Sequence, residues 1–98
     1  MKFTIKLRKE AESEIRDAFE WYESHLVGLG HEFLLSIDES LAILKSEPEI
    51  YPLVHSEIRR ALLKKFPFGV FYTINAENII VLAVFHAKRN PDAWKTRK

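Results

Sequence analysis

At 98 residues the chain is long enough for one compact domain and too short for two, and with 47% apolar residues it is too hydrophobic to remain disordered. It has no cysteine, which excludes disulfides and thiolate metal sites, and no uncharged run approaches the ~20 residues of a membrane span. The net charge of +1 conceals an asymmetry: residues 1–54 carry 6 Lys/Arg against 11 Asp/Glu, and residues 55–98 carry 9 against 3. Such a division suits either a polyanion-facing surface or acidic helices that solvate one side of a basic sheet.

The N-terminal "KFTIKL" alternates, with Phe3, Ile5 and Leu7 on one side and Lys2, Thr4 and Lys6 on the other, which predicts a half-buried strand. The chain turns charged before a signal-peptide core can form, so a cytoplasmic location is expected. Ala11, Ile15, Ala18, Phe19, Tyr22 and Leu26 then step by three and four and mark one helical stripe. Glu10, Glu12 and Glu14 favour the start of that helix through its dipole, although neither Arg8 nor Lys9 is a capping residue.

Gly28-Leu29-Gly30 interrupts the pattern, and Phe33, Leu34, Ile37, Leu41 and Leu44 form a second stripe that ends near Pro48. Two helices joined by a short glycine-containing turn pack as an antiparallel hairpin. "PEIYPLV" reads as loop because both prolines oppose helix. "IRRALLKKF", "GVFYTI" and "NIIVLAVFH" read as strands, rich in β-branched and aromatic residues. "NAEN" makes the last two a hairpin, and Pro67 with Gly69 is expected to bend or bulge the chain before it. The expected architecture is α+β, in the order β-α-α-β-β-β: one domain over 1–98, with a helical hairpin covering one face of a small, mainly antiparallel sheet.

Simple alternation along the last strand places Ile80, Leu82 and Val84 on one side and Ile79, Val81, Ala83 and Phe85 on the other. Both faces are apolar. One meets the helices; the other needs a second cover, from within the chain or from a partner.

Several motifs fail on inspection. Gly28-Leu29-Gly30 lacks the third glycine and preceding strand of a dinucleotide loop. His31-Glu32 starts like a zinc-protease helix, but no second histidine follows at the required spacing. The four histidines show no ligand spacing, so neither a metal nor another cofactor is expected. Asp38 and Glu39 are adjacent on a helix and point apart, so they are not a carboxylate pair.

What remains is basic and aromatic. Arg59 and Arg60 open the second strand, and Lys64 and Lys65 close it; alternation would put Arg60 with Lys64 on one face and Arg59 with Lys65 on the other. His86, Lys88 and Arg89 follow the last strand, and Tyr72 lies on the strand between. With strands in chain order these residues converge on one rim. Such a rim suits phosphate binding, with arginine as bidentate donor and lysine as point charge. It also suits RNA cleavage, with His86 or Tyr72 exchanging protons while Arg60 and Arg89 stabilise the phosphorane. The plainer alternative pairs the arginines with helix carboxylates, buries Tyr72 and folds Trp94 back as a clasp after Asn90-Pro91.

"AFEWYESHLVGLGHEFLLSID", "IRRALLKKFPFGVFYTI" and "IIVLAVFHAKRNPDAW" together resemble the RelE/ParE family of bacterial toxins of toxin–antitoxin and plasmid stabilisation systems, more closely its ParE-like branch. The resemblance implies a βααβββ toxin that inhibits growth and is neutralised by a cognate antitoxin, which wraps an extended, helix-containing tail over it. It also implies that operator DNA is met only through the antitoxin complex. RelE-like members cut messenger RNA on the ribosome; ParE-like members block DNA gyrase and are not nucleases. Arg60, Lys64 and Arg89 match the cations of the cleaving branch, but no tyrosine follows Tyr72 and the chain ends "WKTRK". His86 is the partial substitute. The resemblance therefore implies gyrase inhibition, with mRNA cleavage as the alternative and a degenerate, non-toxic binding module as a third.

Overall fold

The computed structural model describes residues 3–89, and the expected clasp at Pro91, Asp92 and Trp94 lies outside them. Strand β1 (Thr4–Leu7) leads into helix α1 (Lys9–His25) and helix α2 (Leu29–Ser46), followed by strands β2 (Leu53–His55), β3 (Ile58–Leu62), β4 (Phe68–Asn75) and β5 (Asn78–His86). The five strands form one sheet in the order β1-β5-β4-β3-β2. All neighbours are antiparallel except β1 and β5, which run parallel. A chain that leaves β1, makes a helical hairpin and returns through a meander brings its first strand beside its last.

The helices form where the stripes predicted. Arg8 precedes α1 in extended backbone and makes no side-chain cap, so Glu10 and Glu12 of the first turn are what complement the exposed N–H groups. Between the helices, Gly28 takes φ +92°, a left-handed conformation that other residues adopt at a cost. Glu23 accepts hydrogen bonds from both Gly28 N–H and Gly30 N–H at 2.9 Å, which ties the end of α1 to the start of α2. A Cβ at Gly30 would lie 2.6 Å from the Phe19 carbonyl oxygen, so the two helices approach closely there.

The core lies between hairpin and sheet. Ala11, Ala18, Phe33, Ile37 and Leu44 pack on Ala61, Val70, Tyr72, Ile79, Val81 and Val84. Burying each large side chain contributes about 1.5–3 kcal/mol. Tyr22, Phe33, Phe66 and Phe68 form an aromatic cluster with centroids 4.9–6.0 Å apart, which anchors the β3–β4 turn to the helices.

Three expectations are corrected. Residues 53–55, within the segment read as loop, form the edge strand β2. The chain does bend over residues 64–67, Pro67 included, but Gly69 sits in regular register between Leu62 and Phe85, and the bulge falls between Phe71 and Tyr72, where the partners jump from Ala83 to Val81. Leu82 is thus an extra residue on β5, and it flips the faces beyond it: Ile79, Val81 and Val84 face the helices, while Ile80, Leu82, Ala83 and Phe85 face the other way. The second face has its cover within the chain, the first of the two alternatives expected. Ile58, Leu82 and Ala83 are fully buried, and Phe71 and Phe85 nearly so.

Candidate functional site

The sheet end formed by the C-terminus of β3, the start of β4 and the C-terminus of β5 collects most of the basic residues. Phe68 pairs with His86, and Gly69 pairs with both Leu62 and Phe85, which sets these three strand ends side by side. Two backbone bonds hold the adjoining turns: Leu63 N–H to the Phe68 carbonyl at 2.9 Å and Ala87 N–H to the Pro67 carbonyl at 2.8 Å. Leu63 and Phe66 turn inward, so Lys64 and Lys65 between them are exposed. His86, Lys88 and Arg89 are exposed at the same end.

The pairing expected from alternation does not hold, because β3 stops at Leu62 and Lys64 and Lys65 lie beyond it. Lys64 lines a cleft of about 320 Å³ between α2 and β3 with Glu39, Ile43, Tyr51 and Leu62. Arg60 is on the opposite face of the sheet, across from Phe71. Its Nε is buried, and among the described residues it has no hydrogen-bond acceptor and the guanidinium has no carboxylate partner.

The neighbouring Arg59 behaves differently. It points to the helical side, where Nη1 donates to the carbonyls of Glu49 at 3.1 Å and Tyr51 at 2.6 Å. That clamps the segment entering β2 and leaves the guanidinium occupied. Tyr72 pairs with Arg59 in register and is fully buried, donating its hydroxyl to the Pro48 carbonyl at 2.6 Å. Burial pushes its hydroxyl up to about 12, only partly opposed by the Arg59 charge. Tyr72 therefore does not reach the basic end, and it keeps its proton at neutral pH.

Arg89 is anchored but still exposed. Its Nη1 lies 3.4 Å from Glu14 Oε2, and its guanidinium carbon lies 4.7 Å from the Phe85 ring centroid. His86 Nδ1 accepts the Lys88 N–H at 3.1 Å. That bond requires a lone pair on Nδ1, so the neutral ring carries its proton on Nε2 and presents a donor to solvent. Among the described residues no three of His, Asp and Glu gather as a metal-ligand set, and no helix is long and apolar enough to cross a membrane.

The family described as "ParE toxin of type II toxin-antitoxin system, parDE" matches residues 5–91. The chain belongs to the ParE toxin family. No curated protein matches it closely enough in sequence to add to that assignment. Two solved structures share the fold. One is a chain of the chromosomal ParDE TA system from P. aeruginosa, with TM-score 0.64 and 16% identity over 86% of this chain and 95% of that one. The other is a chain of the toxin–antitoxin complex RelBE2 from Mycobacterium tuberculosis, with TM-score 0.62 and 13% identity over 88% and 99%. At these identities the likeness speaks to fold. In this ParE-family chain the sequence had signalled the basic end but not Glu14, whose role depends on where β1 stops, nor Gly69, which lies beside the Arg60 stem from the neighbouring strand.

Proposed function

We propose that this ParE-family toxin arrests growth by binding DNA gyrase through the basic end of its sheet, and that a cognate antitoxin neutralises it. The observation that carries this reading is the position of Tyr72. Cleavage of RNA by its own 2′-hydroxyl calls for a base and an acid beside the cations. Tyr72 is sealed under the helical hairpin with its proton held by Pro48. His86 offers a donor at Nε2, while its Nδ1 is engaged by the backbone. Among the described residues the end thus holds cations without an acid–base pair, an arrangement suited to holding an anionic surface rather than to transferring protons.

Arg60, Lys64, Lys65, Lys88 and Arg89 are the residues assigned to that end, Lys64 on its helical side and Arg60 with Arg89 on the opposite face, with His86 as a hydrogen-bond donor. The reading calls for no cofactor. The antitoxin would approach as an extended, acidic segment, and the chain would meet operator DNA only in that complex.

The test is a supercoiling assay with purified gyrase. The expected result is dose-dependent inhibition with trapped, cleaved DNA. Unimpaired supercoiling, together with codon-positioned cuts in message on translating ribosomes that vanish in His86→Ala, would overturn the reading in favour of mRNA cleavage. Normal growth on induction of verified folded protein would point instead to a non-toxic binding module.

A further inference from the structure

Gly69 stands in the middle of the three-strand end, in a regular part of β4, paired with Leu62 on one side and Phe85 on the other. Its backbone is not in the left-handed region, so conformation alone does not require glycine. What requires it is the space above. A Cβ at this position would lie 3.2 Å from Arg60 Cγ, 3.4 Å from Arg60 Cδ and 3.2 Å from Phe71 Cε1. The stem of Arg60 therefore crowds the place where a side chain would stand.

The direction of that stem follows from the register. Arg60 is opposite Phe71, and Gly69 is two residues nearer the sheet end on the same face. Diagonal neighbours of this kind lie roughly 7–8 Å apart, within reach of a long side chain. Arg60 thus leans from mid-strand over β4 toward the basic end of the sheet, on the face where Arg89 lies over the Phe85 ring. Its Nε is buried on the way and finds no acceptor among the described residues. A guanidinium held half-buried without a partner is costly unless something supplies one.

We propose that Gly69 is a positioning residue: the missing side chain forms a notch that aims the Arg60 guanidinium at the basic end, where it receives an oxyanion of the toxin's target. This rests on the reading that the basic end engages the target. The atoms nearest to where a Cβ at 69 would stand belong to the Arg60 stem and the Phe71 ring, and Gly69 acts through Arg60. A methyl at 69 would press on the stem and the Phe71 ring by a few tenths of an ångström, and a larger side chain would push the stem aside and withdraw one charge-assisted donor from the end.

The experiment is a double-mutant cycle on full-length toxin with Gly69→Ala, Gly69→Val and Arg60→Ala, alone and combined. The readouts are growth arrest per unit of folded toxin, gyrase inhibition and thermal unfolding. The expected result is that Gly69→Ala loses about tenfold in potency, the weight of one charge-assisted hydrogen bond, and Gly69→Val at least as much. Neither should add to the loss in the Arg60→Ala background. If Gly69→Ala does not fold, the Arg60→Ala/Gly69→Ala pair should, because the stem it strikes is gone. Full potency of Gly69→Ala, additive losses, or failure of both versions to fold would overturn the proposal. The target assignment fails separately: if the cycle holds for growth arrest while wild-type toxin leaves gyrase untouched, gyrase is wrong and the role of Gly69 stands.

Discussion

Arg89 and Glu14, 75 positions apart, meet at 3.4 Å where β5 outruns β1. β1 ends opposite Val81, and among the described residues no strand pairs with the edge of β5 beyond it. Glu14 from α1 fills that gap: its Oε1 accepts the Val84 N–H at 3.0 Å while its Oε2 faces Arg89. The two residues are therefore unequal. Arg89→Ala should cost about 1 kcal/mol, as expected of a partly exposed ion pair with a ring contact. Glu14→Ala should cost about 1–3 kcal/mol, because it also strips the acceptor from Val84. Urea unfolding of both variants checks the order. A loss of several kcal/mol in Arg89→Ala would make that arginine structural and remove it from the proposed target surface.

Arg59 and Arg60 are adjacent yet should separate cleanly. Arg59→Ala releases the carbonyls of Glu49 and Tyr51 and should lower stability by about 1–3 kcal/mol, with toxicity per folded molecule retained. Arg60→Ala should lower toxicity by at least the same roughly tenfold as Gly69→Ala, to a level still measurable, and leave the melting temperature nearly unchanged. Growth arrest and thermal unfolding of the two variants together provide the check.

Tyr72 links burial to alkaline stability. Its folded-state value of about 12 lies above the ordinary 10.0, so the unfolded chain ionises first as pH rises. The stabilisation is whole below about pH 10 and is lost between there and about 12, on the order of 2 kcal/mol. Tyr72→Phe should therefore unfold more easily at neutral pH, by about 1 kcal/mol for the lost bond to Pro48, yet show a shallower alkaline decline. Its toxicity should be that of wild type. Denaturant melts from pH 8 to 11 with a parallel growth assay measure both.

Glu23 acts at the other end of the scale. The Gly28 N–H, the Gly30 N–H and nearby His31 hold its carboxyl below the ordinary 4.5, against some desolvation. A depressed carboxylate contributes stability above its unfolded value, and that stability is lost as pH falls through the folded one. Glu23→Gln should flatten the decline in melting temperature below about pH 4.5 relative to wild type. An unchanged acid profile would mean that the glycine turn does not depend on that charge.

Leu82, the extra residue of the bulge, is fully buried on the face away from the helices. Leu82→Ala should cost about 2–5 kcal/mol by leaving a cavity. A cost under 1 kcal/mol in equilibrium unfolding would show that this face is looser than its burial implies.

The helices were readable because each stripe is local: Ala11, Ala18, Phe33, Ile37 and Leu44 declare their faces through spacing within one element. The β4–β5 hairpin was readable for the same reason, since Asn75 to Asn78 closes on itself. β2 was not. Three residues beside Pro52 carry no strand signal, and the strand exists only because β3 is there to pair with it. The bulge at Leu82 was equally hidden, because register is a property of two strands, and one added residue exchanges the faces of everything after it.

The candidate site divides in the same way. Lys64, Lys65, His86, Lys88 and Arg89 stand out as a basic, aromatic-flanked set in the sequence, and strands in chain order bring them to one end. Whether a given cation is free or occupied was beyond the sequence. Arg59 and Arg60 are indistinguishable as neighbours in a string, yet one is bound to loop carbonyls and the other lies over a glycine.

By itself the sequence determined the element order, the helical stripes, the charge asymmetry and the family pattern, all of which rest on spacing along the chain. Only the tertiary structure decided which face each residue of β5 takes, that Tyr72 is sealed away, and where the Arg60 stem lies. Those depend on contacts between segments far apart in the chain, and on side-chain packing that alternation alone does not encode.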